Sequence, residues 1–276
     1  FSEVLVFSTY ATYIVMSFMM LVMIFMMLPQ AEVSAERINE VLDRSASITE
    51  GSVCEGSERG SVEFRDVCFR YPNASEEELS HISFHVKQGE TLAIIGATGS
   101  GKSTLVGLIP RFYDATSGQV LVDGVDVKDY AFDALYDKLG YVTQKAVLFS
   151  GSIRDNVFFG ESAAAADDGA LSSAIELSQA KEFVDKLPEG TEHHIAQLGR
   201  NVSGGQKQRL SIARALAQEP EILVFDDSFS ALDYRTDAKL REGLAKQLHD
   251  ITKIIVAQRI STIRHADKII VLDRGE

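Results

Sequence analysis

The sequence predicts an α/β fold: a mixed sheet core with an antiparallel part near its start, a parallel part wrapped by helices, a helical insertion, and one membrane-crossing helix in front. Three observations predict it. Residues 4–28 run for 25 positions without a charge, enough for a helix to cross a hydrocarbon core of about 30 Å. Strand-like runs follow at 62–71, 82–86, 91–95, 119–122, 139–142, 222–225, 254–257 and 268–272, and the helical patterns between the later ones fit parallel strands. A glycine-rich segment at 96–104 joins one of those strands to a helix opening at Ser103.

Taken in order, the elements divide the chain into residues 1–30, 31–60 and 61–276. The first residue is Phe, as expected of part of a longer polypeptide. The apolar run is too long and too poor in basic residues at its front for a signal peptide. A buried helix of a soluble protein is the bland alternative. Met16, Met19, Met20, Met23, Met26 and Met27 form a stripe at helical spacing, the usual mark of helix packing or lipid contact rather than of a substrate surface. Residues 30–43 are polar and helix-prone and continue the helix into the cytosol, while 45–60 are rich in Ser, Gly and Glu and read as a linker. An Asp123-Gly124 turn follows the strand at 119–122, and residues 150–218 read as a helical insertion.

The net charge of −13 and a pI near 5.0 argue against a nucleic-acid or anionic-membrane surface. Cys54 and Cys68 are too few for a disulfide framework and fit a reducing cytosol.

Residues 96–104 read G-A-T-G-S-G-K-S-T, a full match to G-x-x-x-x-G-K-[ST] in the required setting after a strand and before a helix. Gly96, Gly99 and Gly101 permit backbone angles that turn successive N–H groups toward phosphate oxygens. Lys102 would reach the β- and γ-phosphates and the Ser103 hydroxyl would ligate Mg²⁺; Thr98, Ser100 and Thr104 complete the loop. A second segment, V-S-G-G-Q at 202–206, places Ser203 as an N-cap before a helix over 206–217, with Gly204 and Gly205 leaving the backbone approachable. Free N–H groups and a positive dipole end attract an anion there. Taken alone, this is an ordinary capped helix. Its place downstream of a phosphate loop is what favours the anion site.

These residues, in this order, resemble the nucleotide-binding domain of an exporter-type ATP-binding cassette (ABC) transporter, a P-loop NTPase fold. The resemblance covers nearly the whole chain from residue 30, and the helix before it resembles the last transmembrane helix of such a half-transporter. Tyr71 resembles the aromatic residue that stacks on adenine, although an isolated tyrosine at a strand end is more often edge packing. Gln144 resembles the glutamine that touches Mg²⁺ and senses the membrane helices. Residues 198–206 resemble the signature segment, in which Ser203, Gly204, Gly205 and Gln206 face a partner's nucleotide. The strand at 222–226 resembles Walker B, with Asp226 holding Mg²⁺, and Asp233 closes a segment that resembles the dimer-crossing loop. The resemblance implies ATP and Mg²⁺ as cofactors, head-to-tail closure with a second half-transporter, further transmembrane helices and membrane lipid as partners, and a cell-membrane location with this domain in the cytosol. It also implies outward transport, of a substance the chain does not identify.

Two positions depart from that family's pattern. Asp227 stands where a glutamate usually polarises the attacking water; one methylene fewer withdraws the carboxylate by roughly 1 Å, a misplacement that can cost about 10²-fold in rate. Gln258 stands where a histidine is usual, and its amide can donate a hydrogen bond but cannot carry a proton or a positive charge. Both touch γ-phosphate chemistry, so the sequence implies a site that holds ATP and cleaves it slowly. This resembles the degenerate subunit of a heterodimeric exporter, whose signature loop would serve a competent site on a non-identical partner. Competing readings are a homodimeric exporter with near-normal turnover, a soluble ABC-type clamp on DNA, which acidity and the apolar run oppose, and a regulatory ATP sensor. His193 and His194, without further ligands at metal spacing, read as exposed polar residues. Glu161, Asp167 and Asp168 read as a solvated face.

Overall fold

The computed structural model describes residues 1–160, 167–258 and 263–276. Glu161 lies outside them. The chain forms two compact units, residues 1–49 and 50–276.

The first unit is built on one helix, α1 (Ser2–Leu42), of 41 residues. At about 1.5 Å per residue it exceeds a bilayer's apolar thickness. Three of its hydroxyls are locally satisfied: those of Thr9, Thr12 and Ser17 donate to the carbonyls of Leu5, Ser8 and Tyr13 one turn back. That removes the cost of a bare hydroxyl in hydrocarbon. Among the described residues it is the one helix long and apolar enough to cross a membrane.

The second unit carries strands β1 (Val62–Phe69), β2 (Leu79–Val86), β3 (Thr91–Ile95), β4 (Ser117–Val122), β5 (Val125–Asp126), β6 (Leu139–Val142), β7 (Gly151–Ser152), β8 (His194–Ile195), β9 (Ile222–Asp226), β10 (Thr252–Val256) and β11 (Lys268–Val271). Its helices are α2 (Lys102–Gly107), α3 (Phe132–Tyr136), α4 (Ile153–Val157), α5 (Asp168–Leu177), α6 (Lys181–Val184), α7 (Gly204–Ala217) and α8 (Tyr234–Gln247). An antiparallel sheet has the order β2-β1-β4-β5 and a parallel sheet the order β11-β3-β10-β9-β6. This is the mixed architecture that the spacing of apolar runs implies.

Strand alternation divides the interior into two cores. Leu92, Ile94, Ile222, Val224, Ile254 and Val256 point to one face of the parallel sheet and pack with Val62, Phe64 and Leu105 from the antiparallel sheet and α2. Ala93, Leu223, Phe225, Ile255 and Ala257 point to the other and pack with Leu210 and Ala213 of α7, Leu171 and Ile175 of α5 and Leu240 of α8. A parallel sheet covered on both faces requires such continuously apolar strands. Every residue of β9 and β10 is buried.

Several boundaries differ from the sequence reading, and some of them bear on the site or its attachment. β1 stops at Phe69, so Tyr71 lies beyond the strand rather than at its end. β10 starts at Thr252, because Thr252 donates its hydroxyl to the Gly60 carbonyl and Lys253 donates to the carbonyls of Leu248 and Ile251, so two polar residues enter a buried strand with partners. Composition marks 45–60 as a linker, yet the second unit begins at residue 50 and its first residues are fastened by backbone bonds: Gly51 and Val53 N–H donate to Tyr130 and Asp129 carbonyls, and Ser57 N–H donates to the Asp123 carbonyl. The Asp123-Gly124 turn is present as a two-residue hairpin with φ of 53° and 79°, the left-handed pair that suits strand twist.

Candidate functional site

The carboxyl ends of β3, β10, β9 and β6 are neighbours because these four strands are adjacent and parallel. Ligands of open α/β sheets sit beyond that edge. The loop at 96–104 leaves β3, Asp226 ends β9, Gln144 lies two residues past β6, and Gln258 lies two residues past β10. The topology thus gathers residues that are up to 162 positions apart, from Gly96 to Gln258.

Gly101 is the N-cap of α2 with φ 91°, ψ 6°, a left-handed conformation that a side chain rarely adopts. A Cβ there would also lie 2.9 Å from Leu79 Cδ2 and 3.1 Å from the Glu78 carbonyl oxygen. The tight turn sets the loop over the helix start. Lys102 is buried, and its Nζ donates to the carbonyls of Gly96 (2.9 Å) and Ala97 (2.5 Å) and to Ser100 Oγ (3.3 Å). A cation is thereby held inside the loop's own curve.

Beside it, Ser103 Oγ donates to Asp226 Oδ1 across 2.8 Å. Burial pushes the Asp226 carboxyl above its ordinary range and Asp227 adds to this, while Ser103, Lys102 and the Tyr141 hydroxyl oppose it. Tyr141 is itself pushed upward, first by burial and then by Asp226. A hydroxyl and a carboxylate that converge, with a second carboxylate adjacent, form a hard-oxygen donor set of the kind Mg²⁺ takes, with waters and substrate phosphates supplying the rest. Such a site needs no dense ligand cluster. No group of three or more His, Cys, Asp or Glu at metal-binding distance occurs among the described residues.

Asp227 has φ 48° and is buried. Its Oδ2 accepts from two amides, Gln258 Nε2 at 2.7 Å and Gln144 Nε2 at 3.0 Å. Gln144 therefore reaches Asp227 and not the Ser103–Asp226 pair. Tyr71 shares a hydrogen bond of 2.9 Å with Thr104 through their hydroxyls, so the tyrosine is tied to the first turn of α2.

The second anion segment is a capping box. Ser203 caps α7 by accepting from Gln206 N–H at 3.3 Å, and Gln206 Oε1 accepts from Ser203 N–H at 2.8 Å. Gly204 has open space around it, and a Cβ on Gly205 would meet the Ala231 carbonyl oxygen at 3.5 Å. α7 starts two residues earlier than the periodicity indicates, because both glycines belong to the helix. No hydrogen bond or ion pair among the described residues joins Ser203, Gly204, Gly205 or Gln206 to the 96–104 loop. Asp233 caps α8 by accepting from Arg235 and Thr236 N–H; the Thr236 hydroxyl first, and then these N–H groups, hold its carboxyl below the usual range.

Sequence reasoning missed Gln208. It is buried and donates to the Thr143 carbonyl at 3.2 Å, which ties α7 to the loop that carries Gln144. A polar residue on the inward face of an otherwise amphipathic helix was the available signal. His194 sits on the β7–β8 ribbon, and its carbonyl accepts from Asn201. Asp167 caps α5, and Asp168 pairs with Arg154.

A sequence profile described as ABC transporter matches residues 79–230. The uncharacterized ABC transporter ATP-binding protein YfiB of Bacillus subtilis (strain 168) is 42% identical over 274 residues, covering 99% of this chain and 47% of that protein. The ATP-dependent lipid A-core flippase of Xanthomonas oryzae pv. oryzae (strain MAFF 311018) is 44% identical over 242 residues, covering 88% and 41%. A solved bacterial Atm1-family ABC exporter with ATP bound matches with a TM-score of 0.83 at 33% identity, over 92% of this chain and 44% of that one. The chain thus spans less than half the length of these relatives. With a matched profile over more than half of the sequence and relatives 42% and 44% identical over most of it, the chain belongs to the ABC transporter family.

Proposed function

We propose that this chain is the nucleotide-binding part, with the last membrane helix, of one subunit of an ATP-driven exporter in the cell membrane, its α/β unit in the cytosol. ATP binds along residues 96–104, with Tyr71 beside the base. Ser103 and Asp226 would hold Mg²⁺, which would supply charge neutralisation for the nucleotide's phosphates. Ser203, Gly204, Gly205 and Gln206 face outward to a nucleotide held by a second, non-identical half-transporter. Head-to-tail closure follows, with Asp233 at the crossing loop.

Hydrolysis at the chain's own site is slow. The observation that carries this is the pair of amides on one oxygen of Asp227. That oxygen already accepts two hydrogen bonds, which hold the carboxylate to the amides and leave it less able to turn toward a water. The shorter side chain withdraws it further, and Gln258 brings no positive charge to the γ-phosphate. Phosphoryl transfer depends on positioning and charge stabilisation, so binding is retained while cleavage is slowed.

The test is the ATPase rate of the assembled transporter. Asp227→Asn in this chain should lower it only modestly, whereas disabling the glutamate expected at the matching position of the partner should lower it by about 10²-fold or more. Equal losses from the two changes refute the asymmetry. Mass spectrometry of co-purifying chains separates this reading from a homodimer.

A further inference from the structure

Tyr71 is one of three rings packed at right or steep angles. Tyr113 lies 5.2 Å from it at 85°, and Phe69 lies 4.8 Å from Tyr71 at 81° and 5.5 Å from Tyr113 at 49°. Phe69 is buried at 2% exposure, whereas Tyr113 is 42% exposed and Tyr71 half-buried. Edge-to-face contacts at such separations fix ring planes. The group is also fixed to the phosphate loop, because the Tyr71 and Thr104 hydroxyls are 2.9 Å apart. Thr104 is the third residue of α2, whose N-cap Gly101 closes the loop. A ring anchored both by a hydroxyl to the phosphate-binding helix and by a second tyrosine is a rigid aromatic wall beside the place where phosphates lie. Stacking on a heteroaromatic base suits such a wall, and the fixed planes reduce the ordering cost on binding.

We infer that Tyr113 is a positioning residue for the nucleobase: it holds Tyr71, together with the Thr104 tether, in the plane the base meets. This rests on the reading that residues 96–104 hold a nucleotide's phosphates. Nothing in the sequence marks Tyr113, since it stands in a loop 42 positions from Tyr71.

The test compares two ligands on the full chain, ATP and inorganic tripolyphosphate, by calorimetry or competition. Tyr113→Leu should weaken ATP by about tenfold, within the range of one lost stacking contact, and leave tripolyphosphate unchanged. Tyr113→Phe keeps the ring and should restore ATP affinity. Tyr71→Phe removes the tether with almost no change of volume, and should weaken ATP by a smaller factor with tripolyphosphate again unchanged. It serves should Tyr113→Leu fail to fold. ATP affinity that is unchanged in Tyr113→Leu, or, should that variant not fold, unchanged in Tyr71→Phe, or equal losses for the two ligands, overturns the inference. A native chain that binds neither ligand overturns the phosphate-loop reading instead.

Discussion

Gln258 donates its side-chain amide to Asp227 Oδ2 across 2.7 Å, and Gln144 donates to the same oxygen across 3.0 Å. The three side chains come from the ends of three adjacent parallel strands, β10, β9 and β6. The carboxylate is thus oriented by amides on both sides, and the shorter acid and the amide at 258 are matched to each other.

Because the pair acts as a unit, single reversions should do little. Asp227→Glu alone pushes a longer side chain into two amides, and Gln258→His alone leaves the acid too short. The double change should raise the site's single-turnover cleavage of ATP by up to about 10²-fold, the scale of a 1 Å correction, with clear non-additivity in the double-mutant cycle. Additive single effects would show that the two positions are independent.

Gly101→Ala tests the phosphate loop. At φ 91° the alanine is strained by roughly 1–3 kcal/mol, and its Cβ would press on Leu79 and on the Glu78 carbonyl. We expect loss of ATP binding with a lower unfolding midpoint; the adjacent Gly99→Ala, whose Cβ would meet nothing within 4 Å, should be milder in spite of its φ of 80°. Equal effects from the two would remove the packing argument.

Much of this was legible in the sequence, and the limits have physical causes. β3 and β6 show their bounds because turn residues close short apolar runs. Two-residue strands such as β5, β7 and β8 have no period to detect. The arm at 51–60 is invisible to composition because its backbone N–H groups make most of the attachments, with Arg59 adding one exposed ion pair. The phosphate loop could be located from its motif and setting, whereas Asp227 and Gln258 stand out as departures only through the resemblance to the transporter family. That Gln144 reaches Asp227, that Tyr71 is tied to Thr104, and that Gln208 joins α7 to the Gln144 loop are contacts between distant segments, and spacing along the chain does not encode them.

Acidification should weaken one identifiable strut. Glu90 Oε2 accepts from Lys268 Nζ at 2.7 Å and from Lys87 N–H at 2.8 Å, and these, the Lys268 bond first, hold its carboxyl below the ordinary 4.5. Its contribution is complete above that ordinary value and is lost as pH falls through the lowered one. Glu90→Gln should cost about 0.5–1 kcal/mol at neutral pH and flatten this part of the acid dependence of urea unfolding. An unchanged slope would sink the assignment.

The arm that leads into the α/β unit is held by a buried charge. Asp123 is 1% exposed; its Oδ1 accepts from Gly60 N–H at 2.7 Å and its Oδ2 pairs with Lys138 Nζ at 2.9 Å. Lys138 in turn lies 3.7 Å from Glu221, which Arg59 of the arm approaches at 3.2 Å. Removing one member of such a pair leaves the other charge buried alone, at a cost of about 3–5 kcal/mol. Lys138→Met should therefore lower the unfolding midpoint by roughly 10 °C for a unit of this size, whereas Arg59→Met, with an exposed side chain, should cost less than about 1 kcal/mol. Proteolysis should report the same order, with cleavage at 50–61 accelerated in Lys138→Met before any other region opens. Comparable losses from the two substitutions would mean that the arm is fastened by its backbone bonds to Asp129 and Tyr130, and that the charge at Asp123 is incidental to it.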